Sequence, residues 1–265
     1  MHNEKIITTI DSRGVATVTL NNPEKHNAFD DTVITSLTST FATLASNDDI
    51  RVVILAANGK SFSAGADLNW MKRTAGYSVA QNLQDAKALT TLFYTLNSLA
   101  KPTIARVQGA AFGGGVGLIS CCDIAVASDR ASFSLSEVKL GVVPATISPY
   151  VIEAIGARAA RRYFTTAERF TATTALQIGL ISECVTERQL DATIDTIIDA
   201  LLTNAPKAIA TAKQLIADIS HRPIDKKLID ETSALIAKLR NTDEGREGLS
   251  AFLEKRPASW IKSRE

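Results

Sequence analysis

The sequence predicts an α/β fold with a helical C-terminal region, on three observations. Apolar runs of strand length alternate with amphipathic segments of helix length through the first half, the pattern that builds a mostly parallel sheet. Two of those runs are followed by stretches of small residues, at 61–68 and 109–117. Beyond residue 148 the apolar periodicity is helical.

Residues 6–10 and 15–20 predict a hairpin. Val15, Thr17 and Thr19 alternate with Ala16, Val18 and Leu20, a period of two with one buried face. Asp11-Ser12-Arg13-Gly14 supplies the turn, and Asn21-Asn22-Pro23 ends the second strand. Asp30-Asp31 opens a helix to about Ser46, with Val33, Ile34, Leu37, Phe41 and Leu44 at helical spacing. Residues 51–57 read as a buried strand, broken by Asn58-Gly59-Lys60, and 61–67 as a loop. A long helix is predicted over 77–100, with Leu83, Leu89, Leu92, Phe93, Leu96 and Leu99 along one side. A strand over 102–107, a glycine loop over 109–117 and a buried helix follow, then short strands at 123–127 and 131–133. The remainder predicts helices near 149–155, 158–166, 172–179, 187–203, 205–219, 223–239 and 243–253. No Pro/Ser-rich linker interrupts the chain. A core over 1–200 and a helical region over 201–265 are expected to pack together and on neighbouring subunits.

The 29 basic and 28 acidic residues leave a net charge of +1, which gives no global field for nucleic acid or an acidic membrane. No apolar run reaches bilayer length, and residues 1–5 form neither a signal-peptide core nor an Arg-rich transit helix, so a cytoplasmic protein, or one whose targeting peptide has been removed, is expected. Cys121, Cys122 and Cys184 make a poor disulfide framework and read as small buried hydrophobes. His2, His26 and His221 stand at no ligand spacing from one another or from a cysteine; no metal site and no histidine-driven triad is expected.

Both small-residue stretches follow strands, where open α/β folds bind ligands. If the strands are neighbours, the stretches face one crevice, and each offers backbone N–H groups to a substrate oxygen. The other reading of the glycines is close helix–strand packing. The glycine loop fits neither the dinucleotide fingerprint nor the P-loop, and Gly-x-Ser-x-Gly is absent. Glu137 is open to two readings: a surface carboxylate paired with Lys139 or capping a helix, or an acid/base whose proton affinity burial raises. Asp123 reads as structural, at a strand start.

Phe62-Ser63-Ala64-Gly65-Ala66-Asp67-Leu68, the stretch from Lys101-Pro102 to Gly117, Cys122-Asp123-Ile124, and Ser136-Glu137 through Gly141-Val142-Val143-Pro144 together resemble the crotonase (enoyl-CoA hydratase/isomerase) superfamily. Asn22-Pro23-Glu24-Lys25-His26-Asn27-Ala28 and Ala251-Phe252-Leu253-Glu254-Lys255-Arg256 fit it too, so the resemblance spans nearly the whole chain. It implies a spiral of ββα units, with C-terminal helices that build a homotrimer or a hexamer of two trimers. It implies an acyl-CoA substrate, coenzyme A entering as part of it, and no permanently bound cofactor. It carries thioester-oxygen donation to the Ala66 and Gly114 N–H groups. CoA contacts fall on Lys25, Ala28, Ala64, Asp67 and Leu68, and on Phe252 and Lys255 from a neighbouring subunit. Hydratases of this family commonly use two glutamates. Glu137 matches the later one; Gly117 stands at the earlier, a departure that leaves one acid/base. A single carboxylate serves either hydration or double-bond isomerisation. Leu68-Asn69-Trp70-Met71-Lys72-Arg73 and Pro144-Ala145-Thr146-Ile147-Ser148-Pro149-Tyr150-Val151 look like bacterial methylglutaconyl-CoA hydratases, of leucine or acyclic-terpene breakdown. There Lys72 or Arg73 is a candidate for a second substrate carboxylate; the other reading is two solvated charges. The alternative of another class is a catalytically silent CoA- or RNA-binding family member.

Overall fold

The computed structural model describes residues 4–261; His2 lies outside the described residues. The chain winds between two sheets. β1 (Ile6–Ile10) and β2 (Val15–Leu20) form the predicted antiparallel hairpin, Ile6 opposite Leu20. Asp11 Oδ1 holds its turn by accepting from the N–H groups of Arg13 and Val15. α1 (Asp31–Ser46) starts at the Asp30 cap, whose carboxylate accepts from the Val33 N–H and pairs with Lys5. Its predicted apolar stripe is buried.

Three turns then repeat one plan, in which a strand enters the large sheet, the next enters the small sheet, and a helix returns. β3 (Val52–Ala57) and β4 (Ser61–Ser63) lead into α2 (Leu68–Thr74) and α3 (Val79–Asn97). β5 (Thr103–Val107) and β6 (Ala110–Phe112) lead into α4 (Gly114–Cys121). β7 (Ile124–Ser128) and β8 (Ser132–Ser134) lead, through a short 3-10 turn at Glu137–Leu140, into α5 (Ser148–Thr166). This is a spiral of ββα units. The last segment supplies β9 (Phe170–Thr171), α6 (Ala172–Gln177), β10 (Glu183–Val185), α7 (Leu190–Leu202), α8 (Pro206–Ile219), α9 (Lys226–Arg240) and α10 (Asp243–Leu253). The large sheet has the order β1-β2-β3-β5-β7-β10, parallel from β2 onward, and the small sheet β4-β6-β8-β9.

Several expectations need correction. Residues 61–67 are not all loop, because Ser61–Ser63 form β4; the glycine loop likewise contains β6. β9 and β10 fall between the helices expected there, where no strand was predicted. These strands have two or three residues, too few to show a period, and exist because a neighbour pairs with them. The helix expected over 77–100 starts only at Val79, after a Ser78–Gln81 capping box, and ends at Asn97; Leu83 faces solvent. Gly156, at φ 72°, kinks α5 between the two helices expected there.

The main core lies between the sheets and under α1, α3, α4 and α5. A second cluster packs Val15, Val52, Ile54, Ile104 and Val126 against Leu190, Ile194 and Ile198 of α7. The C-terminal helices bury little within the chain: no residue of α8 and only Leu228 of α9. Lys213 of α8 donates to Asp123 Oδ2 at 2.6 Å and to the Lys101 carbonyl at 3.0 Å. Arg51 donates to the carbonyls of Asn204 and Trp260. Ile216, Ile229, Ile236, Phe252 and Leu253 are exposed. Among the described residues no helix is long and apolar enough to cross a membrane. Cys121 is buried, Cys122 and Cys184 are partly so, and all three are free thiols.

Candidate functional site

The strands before the two small-residue stretches are neighbours, as the crevice requires: β3 pairs with β5. The stretches themselves run side by side, since β4 pairs with β6 in parallel, Ser61 opposite Ala110. Each loop turns on a glycine in a conformation that side chains resist. Gly65 has φ 90° and lies against the Phe112 carbonyl; Gly113 has φ 50°.

Phe29 joins the two loops. Its N–H donates to the Gly65 carbonyl at 2.7 Å, and its carbonyl accepts from the Asp67 N–H at 2.7 Å. This parallel bridge pairs Phe29 with Ala66 and points the Ala66 N–H away from it. On the other side, a Cβ placed on Gly114 would stand 2.5 Å from the Phe29 ring. Gly114 is the first residue of α4, so its N–H has no acceptor within the helix, and the positive helix end lies there.

Glu137 sits across from this helix start. A Cβ on Gly113 would lie 3.0 Å from Glu137 Oε1, and Glu137 Oε2 is buried with no hydrogen-bond partner among the described residues. No ion pair joins Glu137 to Lys139 among these residues, and Glu137 Oε2 is buried rather than exposed to solvent. Burial pushes its pKa above the usual carboxylate range, only partly opposed by a backbone hydrogen bond. The crevice therefore combines the N–H donors at a helix start with a proton-hungry carboxylate.

The neighbouring predicted residues fall around the first loop. Asp67 caps α2 by accepting from the N–H groups of Asn69 and Trp70, and its other oxygen accepts from Lys25 Nζ at 2.9 Å. Lys25 is the first cause holding the Asp67 carboxyl below its ordinary range. The Ala64 N–H donates to the His26 carbonyl, Ala28 is buried beside Phe29, and Leu68 is exposed. Arg73 pairs with Asp31 at 2.8 Å; Lys72 is exposed. Asp123 is structural, accepting from Thr103 and Lys213. Phe252 lies in the last turn of α10, which packs against α8 and α9, and Lys255 in the turn just after it.

Two contributors escape sequence reading. Phe29 is one. Asn27 is the other: its buried amide donates to the Asn58 and Ser61 carbonyls and accepts from the Asn22 N–H, tying three segments under the first loop. Polar Asn27 between apolar Ala28-Phe29 and a turn was the available signal. A groove of about 540 Å³ between β1–β3 and α7 contains none of the predicted residues. Among the described residues no cluster of three or more His, Cys, Asp or Glu side chains could hold a metal ion.

Comparison with known proteins bears on what this geometry serves. The family profile described as enoyl-CoA hydratase/isomerase matches residues 11–263. The short-chain-enoyl-CoA hydratase of Clostridium acetobutylicum is 32% identical over 252 residues, 94% of this chain and 95% of that protein. The 2,3-dehydroadipyl-CoA hydratase of Escherichia coli K12 is 32% identical over 246 residues, 91% of this chain and 93% of that protein. The crystal structure of an enoyl-CoA hydratase from Shewanella pealeana matches with a TM-score of 0.95 and 48% identity, covering 98% of this chain and 97% of that one.

Proposed function

The chain belongs to the enoyl-CoA hydratase/isomerase family, the crotonase superfamily, and on that premise we propose that it hydrates a branched glutaconyl-CoA such as 3-methylglutaconyl-CoA. The observation that carries this reading is Glu137 Oε2, buried with no hydrogen-bond partner among the described residues, across from the start of α4, where the Gly114 N–H has no acceptor within the helix. In this reading the thioester oxygen accepts from the Ala66 and Gly114 N–H groups. Glu137 takes one proton from water as the water oxygen bonds to C3 of the double bond. The electron pair moves through C2 to the thioester oxygen, where fixed donors stabilise the enolate without reorganising. Glu137 then returns its proton to C2, so both elements of water add on one face. A carboxyl whose pKa is raised by burial suits both steps, because it holds the proton long enough to return it.

Coenzyme A lies in this reading along Lys25, Ala28, Ala64, Asp67 and Leu68. Phe252 and Lys255 reach it from a neighbouring subunit of a trimer or hexamer. The exposed apolar residues of α8–α10 support that assembly, since so much uncovered hydrocarbon is otherwise unfavourable. A cytoplasmic location belongs to the same reading. The diacid substrate class is supported by the relative whose name specifies dehydroadipyl-CoA, an acyl group ending in a carboxylate. Lys72 is the better placed of the two cations to read it, because Arg73 is engaged with Asp31. Isomerisation is the second reading, favoured by the absence of an acid at Gly117.

One experiment separates them. The protein is incubated with 3-methylglutaconyl-CoA and with crotonyl-CoA in heavy-oxygen water. Hydration adds the heavy oxygen to the product, with preference for the first substrate, and Glu137→Gln lowers turnover by about 100-fold or more. Double-bond migration without label uptake would replace hydration by isomerisation. Equal losses on both substrates in Lys72→Met and Arg73→Met would remove carboxylate recognition.

A further inference from the structure

Gly117 stands about one turn into α4 from its N-cap Gly113, since the Gly117 N–H donates to the Gly113 carbonyl at 3.1 Å. One helical turn, about 5.4 Å, separates them. Side chains on a helix tilt toward its N-terminus, so any side chain at 117 would lean toward Gly113 and the Glu137 carboxyl beside it. That direction is blocked. A Cβ at 117 would lie 2.3 Å from Ile147 Cγ2, 2.9 Å from Ile147 Cβ and 3.0 Å from Phe93 Cε1. Ile147 is 2% exposed and Phe93 fully buried. Ile147 is β-branched and therefore stiff at χ1, so it cannot swing away cheaply. It stands at the start of α5, which packs against both α4 and the 3-10 turn that carries Glu137.

We infer that Ile147, backed by Phe93, is the residue that holds this site to one carboxylate: it fills the space over Gly117 and bars any acidic side chain from that face of α4. The inference rests on the reading of Glu137 as the proton-transfer group. The wall one turn from Glu137 is hydrocarbon, so no second carboxylate on that face shares the activation of water or the return of its proton. Ile147 thus acts as a positioning residue, and positions 117 and 147 are coupled: a side chain is admitted at one only if the other gives way.

The test has two parts. First, melting temperatures are measured for wild type, Gly117→Ala, Ile147→Ala and the double variant. Gly117→Ala is expected to lower Tm by about 5 °C or more alone, and by much less in the Ile147→Ala background. An equal penalty in both backgrounds overturns the inference. Second, the pH dependence of kcat/KM is compared between wild type and Gly117→Glu/Ile147→Ala. Wild type should show one ionisation, with activity lost toward acid, and the double variant a second. A folded double variant with the wild-type profile also overturns it. Glu137→Gln is run alongside. If that variant keeps full turnover, the reading of Glu137 fails, while the melting temperatures still decide the packing of Ile147.

Discussion

The loop crevice and the C-terminal helices are fixed by opposite means. In the crevice, backbone pairs with backbone, and the polar side chains beneath it are buried and spent inward: Asn27 on three segments, Ser63 on the Asn27 carbonyl, Asp67 on α2 and Lys25. Among the described residues, the Gly114 N–H at the start of α4 has no acceptor within the helix, and Glu137 Oε2 has no hydrogen-bond partner. In α8–α10 the apolar faces are left uncovered, and a few long cationic side chains tie the helices to the core. The difference teaches that, in the proposed reading, reactivity comes from what a rigid backbone leaves unpaired. Attachment of the helices to the core comes from side chains, which can be lost one at a time.

That contrast breaks if changes in the crevice act mainly on stability, or changes in the helices mainly on turnover. The largest effect should follow from Gly114→Pro read against Gly114→Ala. Both crowd the Phe29 ring, but only proline removes the N–H, so its kcat should be about 100-fold lower than that of the alanine variant. Similar rates for the two would show that the donor does not matter. Next comes Lys213→Met, which leaves Asp123 without its ammonium partner. It should cost about 2 kcal/mol in chemical denaturation while kcat changes little. A loss of turnover with unchanged stability would reverse the contrast.

The smallest effect is a pH dependence. Burial raises the Glu137 pKa in the folded chain, so the fold binds that proton more tightly than the unfolded chain does. The resulting stabilisation is complete below the unfolded carboxyl's ordinary pKa and is lost as pH rises through the folded value. Glu137→Gln carries no such charge. Its Tm should match wild type in acid and exceed it at neutral pH. A constant offset across pH would mean that the carboxyl is solvated after all.

Much of this was legible in the sequence, for identifiable reasons. The hairpin, α1 and the α7 stripe are long enough for their period to show, and β3 shows as an unbroken apolar run. The crevice was legible as two stretches of small residues after strands, because ligand approach demands small residues. β4, β6, β9 and β10 were not, since two or three residues carry no period and owe their existence to their partners. Phe29 carries no signal of its own in the sequence; its role depends on Ala66 and Gly114, 37 and 85 positions away. The reason for glycine at 117 was hidden in the same way, because its cause is the side chain of Ile147 on another helix.

Phe29 has one further consequence. A single residue touches both donor loops, one through its main chain and the other through its ring, so it sets the gauge between two amide hydrogens that belong to different turns of the spiral. A shift of either loop is transmitted to the other through that ring. If those hydrogens hold the thioester oxygen as proposed, the tolerance of the notch they form is the tolerance of one aromatic contact. Trimming the ring would detune the spacing while leaving Ala66, Gly114 and Glu137 in place.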